Sequence, residues 1–331
     1  MSLQRLASGL LALLAAAGGA ATQAPAGTLV VLNKEAATLV LVDPAGGAIL
    51  GRVATGEGPH EVALSADGRT AFVTNYGAQT PGRSISVVDL VAHTELRRVD
   101  LTPLLRPHGI AVAGGKVYIT AETNRAIARY DPESNALDWI MGTGQAGTHM
   151  VWVNPQTTFI ATANIGSDSL TLMERGANPL AWTQAHVTVG KGPEGFDVSA
   201  DGRTIWAAHS RDGSISVVDV ASKSVVHTID AGTKRSNRLK LTPDGRLALI
   251  SDLEGGDLVV VDVATRRITR RLPLGKMPEG ILITPDGARA YVAVNGDDYI
   301  AAIDLQTLTV VQKISTGDGP DGMAWAPGLA P

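Results

Sequence analysis

Apolar and polar residues alternate along this chain in short runs that return at a regular interval. Glu61-Val-Ala-Leu-Ser-Ala-Asp-Gly-Arg-Thr-Ala-Phe-Val-Thr-Asn75 is echoed by Gly195-Phe-Asp-Val-Ser-Ala-Asp-Gly-Arg-Thr-Ile-Trp-Ala-Ala-His209. A period of two on both sides of an Asp-Gly pair predicts two antiparallel strands joined by a tight turn. The pattern recurs from Arg238 to Asp252 and from Gly280 to Asn295. A third strand follows each time and ends in an acid, at Asp89, Asp219, Asp262 and Asp304. A fourth then runs to a glycine, as from Val225 to Gly232 and from Ile268 to Gly275. Four strands in a unit of about 40 to 48 residues make one blade of a β-propeller.

Two units, His108 to Gly144 and His149 to Gly190, diverge in sequence but keep the strand order, which brings the count to six complete blades. The seventh has to be assembled from both ends: Thr28 to Gly56 supplies three strands, and Gly319 to Trp325 supplies the missing first strand. The expectation is an all-β, seven-bladed β-propeller of four-stranded blades over residues 27–327, its last blade closed three plus one by the N- and C-terminal strands. Phe72-Val-Thr-Asn75, with the Pro-x-Gly and Asp-Gly elements around it, resembles the YVTN-repeat β-propellers across nearly all of the chain after its first residues. That resemblance implies an exported seven-bladed propeller. It leaves the activity open, because relatives include binding proteins, enzyme subunits and lactonase-like or lyase-like enzymes.

Composition agrees with many short strands and tight turns: 37 Gly and 17 Pro accompany only 4% aromatic residues. A formal net charge of -4 argues against a polyanionic partner, so no nucleic acid is expected. The one basic run, Arg266, Arg267, Arg270 and Arg271, has the spacing of a solvated outer strand. Arg5 followed by the apolar stretch Leu10 to Ala21 reads as a signal peptide over residues 1–24, with cleavage after Ala24 or Ala26. The apolar stretch is too short for a transmembrane segment, so the expected location is periplasmic or secreted. Without cysteine there is no disulfide, thiolate ligand or covalent haem attachment site.

Aligned on their first strands, the units place one polar residue each at the same position: His60, His108, His149, Glu194, Asn237, Glu279 and Asp321. Equivalent positions in a propeller surround the axis, so these side chains are expected to converge at one mouth of the central channel. Imidazoles with a carboxylate suit a divalent transition metal such as zinc, copper, nickel or iron, and His60, His108, His149 and Glu194 are its expected ligands. A metal-bound water would serve as nucleophile, with Glu194, His209, Glu279 and Asp321 as acid–base candidates. Arg238, Asn237 and Asn75 are expected to contact substrate. The alternative is a ring of merely solvated polar residues.

A second row at the ends of the second strands, Asn33, Asn75, Asn164, His209, Asp252 and Asn295, reads as turn-forming, with His209 as the exception. The acids that end the third strands lie at the opposite face and read as turn caps. Arg106, Lys191, Arg235, Arg238 and Lys276 would rim the mouth and attract an anion. The expected function is a metal-assisted enzyme (hydrolase, lyase or oxidoreductase) acting on a small polar or anionic molecule. The other classes are a non-catalytic propeller that binds a ligand or a protein partner, and a scaffold subunit of a periplasmic dehydrogenase.

Overall fold

The structure, a computed structural model, describes residues 27–179 and 181–329. The signal peptide read at residues 1–24 lies outside them. Seven four-stranded antiparallel sheets account for nearly all of the described chain, and no described helix is long and apolar enough to cross a membrane. Blade one comprises β4–β7 (residues 59–100), blade two β8–β11 (107–142) and blade three β12–β15 (148–188). Blade four comprises β16–β19 (193–230), blade five β20–β23 (236–273) and blade six β24–β27 (278–314). In blade seven, β28 (Pro320–Ala326) pairs with β1 (Thr28–Asn33), which continues through β2 (Thr38–Val42) to β3 (Ile49–Ala54). The three-plus-one closure expected from the repeat is therefore present, with Leu29 opposite Trp325 and Val31 opposite Met323.

Burial explains why the strands of one blade read differently. The second and third strands are covered on both faces by the neighbouring blades, so Thr70–Gly77 and Asp257–Asp262 are buried nearly throughout. The outermost strands alternate, as in Thr94–Asp100, because only one face is covered. The apolar residues form seven clusters, one for each interface between blades. The cluster of Leu29, Val31, Tyr291 and Ala293 joins blades six and seven, and that of Val30, Leu32, Val62 and Val73 joins blades seven and one. No blade owns a core of its own, so each depends on its neighbours for burial.

The innermost strands of successive blades touch around the axis. A Cβ at Gly109 would stand 2.6 Å from the carbonyl oxygen of His149, and at Gly195, Gly280 and Gly322 it would meet the backbone of Arg238, Asp321 and His60. Glycine at these four places permits the narrow axis on which the mouth is built. If closure by β28 holds the ring, deletion of residues 319–331 exposes two of the seven inter-blade cores. The truncated protein should melt at least about 5 °C below the full chain, since each kcal/mol moves Tm by roughly 1.5 °C in a domain of about 300 residues. An unchanged melting curve by circular dichroism would contradict the closure.

Candidate functional site

Every innermost strand begins with a β-bulge, between Pro59 and Val62 in blade one and at the matching positions elsewhere. A bulge inserts a residue and re-aims its side chain. The residue it carries is the one aligned in the sequence, so His60, His108, His149, Glu194, Asn237 and Glu279 line a single cavity of about 350 Å³ at one end of the axis. Asp321, fully buried, stands behind them against His60. Hydroxyls on the second strands set the bulges in place. Thr74 Oγ1 accepts from the Glu61 N–H at 3.1 Å and donates to the His108 carbonyl at 2.8 Å. Thr120 Oγ1 does the same between the Gly109 N–H (2.8 Å) and the His149 carbonyl (2.6 Å).

The three histidines from consecutive blades form an arc. The His108 ring lies 3.6 Å from that of His149 at an interplanar angle of 32° and 4.1 Å from that of His60. His149 Nδ1 bonds Glu122 Oε1, and Tyr76 donates to Glu122 Oε2 at 2.7 Å. His60 Nδ1 lies against Asp321 Oδ2. Both nitrogens of His108, Nε2 of His149 and Oε2 of Glu194 are buried without a hydrogen-bond partner in the protein. His108, Glu122 and His149 each bring a ligand-type atom to within 4.8 Å of the others. Ligands of a tetrahedral zinc ion stand roughly 3.4 Å apart at bonds near 2.1 Å, closer than the 4.8 Å that bounds this cluster.

Electrostatics divides the site by role. Burial, with the charges of His149, His60, Arg238 and Lys34, pushes the His108 pKa well below its ordinary value, so the ring is neutral with a free lone pair. Burial acts to raise the Glu122 pKa, but the bonds from His149 and Tyr76 outweigh it and keep the carboxylate ionised. Tyr76 is pushed up to about 12 by burial and by the Glu122 charge. Burial and the adjacent Asp321 charge raise Glu279 to about 8, against the pull of Lys34 and Arg238, so it carries a proton at neutral pH. Asp321 is held low despite its burial, chiefly by His60 and Arg238.

Arg238 closes the floor. Its guanidinium reaches across the axis from blade five to Glu61 of blade one, with Nε donating at 3.0 Å and Nη2 bonding the same oxygen. Nη1 donates to Asn237 Oδ1 at 3.2 Å, and Asn237 in turn donates to Glu194 Oε1 at 2.8 Å. Burial opposes the charge on Arg238, but Glu61, Asp321 and Glu194 more than compensate and keep it protonated. The sequence reading made Arg238 a rim residue; the bulge turns it inward, where it is 4% exposed.

The second row is structural, as its turn-forming reading expects, and neither Asn75 nor His209 lines the cavity. Asn75 faces its own blade: Oδ1 accepts from the Gly56 N–H at 3.1 Å, and Nδ2 donates to Ser84 and Ser86 at 3.0 and 3.1 Å. His209 is fully buried outside the cavity lining, with Nδ1 2.8 Å from Ser214 Oγ and 3.5 Å from Asp212 Oδ1. In five of the seven blades the residue one place further along turns toward the mouth: Lys34, Tyr76, Glu122, Ile165 and Leu253 line the cavity. Each gives its N–H to the carbonyl that precedes the blade-opening residue, as Tyr76 does to Gly58 and Glu122 to Arg106. Glu122, Tyr76 and Lys34 were not singled out in the sequence. Their signal was variation between repeats at a position beside the regular asparagines.

Two measurements check these assignments. Arg238→Met strands the Glu61 charge and should cost about 3 to 5 kcal/mol in urea unfolding, with a large part recovered in the double variant carrying Glu61→Gln. Burial lowers the His209 pKa against the attraction of Asp212, so the folded chain resists a proton that the unfolded chain accepts near pH 6.5. Stability from this group is present above about pH 6.5 and is lost as pH falls toward the lower folded value. His209→Asn, the residue type of the neighbouring blades, should therefore flatten the loss of unfolding free energy between pH 7 and 5. An unchanged slope would contradict it.

No protein-family model matches the chain, and no curated protein matches it in sequence. Solved structures do match in three dimensions. The periplasmic gluconolactonase of Pseudomonas aeruginosa shares 19% identity and a TM-score of 0.76, over 93% of this chain and 100% of that one. Hydrazine synthase of Kuenenia stuttgartiensis shares 20% identity and a TM-score of 0.68, over 80% and 88%. The dihydro-heme d1 dehydrogenase NirN shares 16% identity and a TM-score of 0.64, over 91% and 75%. At such identities the likeness is one of fold, and it places this chain among β-propellers.

Proposed function

We propose that the protein is an exported enzyme of the YVTN-repeat type that holds a divalent transition metal at the channel mouth and acts on a small polar molecule there. The observation that carries the reading is the set of buried, unpartnered ligand atoms on His108 and His149 beside the ionised Glu122. Buried polar atoms are ordinarily satisfied, and a cation would satisfy one nitrogen of each ring. Imidazole nitrogen with a carboxylate suits zinc, copper, nickel or iron. His60 stands at the other side of His108 and completes the donor set. Glu122 on His149 and Asp321 on His60 each fix a ring through Nδ1, the arrangement in which a carboxylate orients a ligating imidazole.

Such a metal lowers the pKa of a bound water to about 7 and polarises a carbonyl, chemistry suited to hydrolysis. The chain's own residues supply the rest. Glu194 presents an unpartnered carboxylate oxygen to the cavity, and the protonated Glu279 opposite can give up a proton. Arg238 and Glu61 pair across the axis beneath the cavity. Enzymes named as a gluconolactonase and a dehydrogenase are built on the same frame, and a propeller named as periplasmic agrees with the export signal read in the sequence.

Elemental analysis of the purified full chain tests the reading. It predicts about one transition-metal ion per chain, loss of that metal in His108→Ala/His149→Ala, and a lower Tm after chelation that returns on adding zinc. Absence of stoichiometric metal, together with a Tm indifferent to zinc in both proteins, would overturn it.

A further inference from the structure

Blades five to seven contribute two cations to the cavity lining, neither of them held in a salt bridge, although the Lys34 charge is felt by Glu279 and Asp321. Lys34 comes from the position after β1, and Arg235 from the loop that leads into β20. Among the described residues neither the Lys34 ammonium nor the Arg235 guanidinium makes a salt bridge, whereas Lys116, Arg129, Arg211, Lys223 and Arg238 do. The third cation lining the cavity, Arg238, is consumed by Glu61 and Asn237. Between the cations and the imidazoles lies Glu194 Oε2, a buried acceptor that can only be satisfied by a donor. The wall thus offers charge for an anion and, a few side chains away, an acceptor for a hydroxyl.

We propose that this mouth binds a small hydroxy-monocarboxylate, with the carboxylate between Lys34 and Arg235 and a hydroxyl donated to Glu194. The inference rests on the reading of the mouth as a small-molecule site but not on the presence of a metal. Size sets the upper bound: at roughly 30 Å³ per water-sized volume the cavity holds about a dozen non-hydrogen atoms. Charge selects the head group. Glu61, Asp321 and Glu194 surround the floor, so a dianion such as phosphate meets repulsion that a single carboxylate meets only in part. An uncharged polyol would leave both cations unpaired, and Arg235 in particular presents a planar fork that matches a carboxylate.

Isothermal calorimetry on the full chain, as purified and after chelation, tests this with three probes: glycerate, its uncharged counterpart glycerol, and inorganic phosphate. Glycerate should bind saturably at millimolar concentration, more tightly than phosphate, with glycerol silent. Lys34→Gln and Arg235→Gln should each weaken glycerate by about tenfold, the scale of one lost hydrogen bond to a charged group, and leave metal content unchanged. Failure of glycerate to bind, equal affinity for glycerol, tighter binding of phosphate, or indifference to both substitutions would overturn the assignment. If the chelated protein retains glycerate binding that both substitutions weaken, the anion site stands whatever becomes of the metal. If metal is bound but glycerate is not, the metal centre stands alone.

Discussion

Seven innermost strands meet around one axis so closely that a side chain at Gly109, Gly195, Gly280 or Gly322 would strike the backbone of the next blade. The remainder of the structure follows from that crowding. It requires closure, because an open ring would leave two inter-blade cores uncovered, and β28 therefore returns to β1 from the far end of the chain. It also requires that whatever projects inward from the strand starts be packed against its counterparts from the other blades. Side chains that would be solvated on an ordinary loop are here 7% exposed or less at His108, His149, Glu194, Asn237 and Glu279.

Desolvation then makes each pairing consequential. A charge out of water must find a partner or be neutralised, a cation by losing its proton and a carboxylate by gaining one, and the site shows both outcomes. Arg238 stays charged because Glu61, Asp321 and Glu194 surround it, while His108, without an acid of its own, is neutral and Glu279, beside Asp321, is protonated. The two cations that escape this accounting, Lys34 and Arg235, stand where the cavity opens to solvent, and the orphaned imidazole nitrogens stand where it does not. Cations outside any salt bridge and orphaned imidazole nitrogens thus share one small cavity.

The architecture was legible in the sequence because the repeat is written many times over, and the Asp-Gly turns fix where each hairpin folds. The inner ring was legible for the same reason: once the units align, His60, His108 and His149 fall in one column. The neighbouring column reads in the sequence as structural, and Asn75 and Asn164 do hold their own blades, with Asn164 bonding Thr171 and Ser169 as Asn75 bonds Ser86 and Ser84, while the residue after each of them faces the mouth. In blade six the column slips, since Val294 and not Asn295 pairs with the first residue of β24. Which of two consecutive residues at a strand end faces the axis depends on the bulge opposite, and a bulge leaves no mark in hydrophobic alternation. Contacts such as Arg238 to Glu61, spanning 177 residues, lie beyond any periodicity argument.

The catalytic reading stands on atoms that the protein itself leaves unsatisfied, two nitrogens of His108 and one of His149, beside the hydrogen-bonded carboxylate of Glu122. In the structure the His108 and His149 rings stack, and a bound cation would draw their nitrogens edge-on toward a common centre. The most direct measurement is a crystal structure of the zinc-soaked protein with data collected on either side of the zinc absorption edge. The account predicts one strong anomalous peak within about 2.2 Å of a nitrogen atom from each of His60, His108 and His149, with Glu122 bonded to the His149 ring. An empty mouth with the two imidazoles still stacked would contradict it.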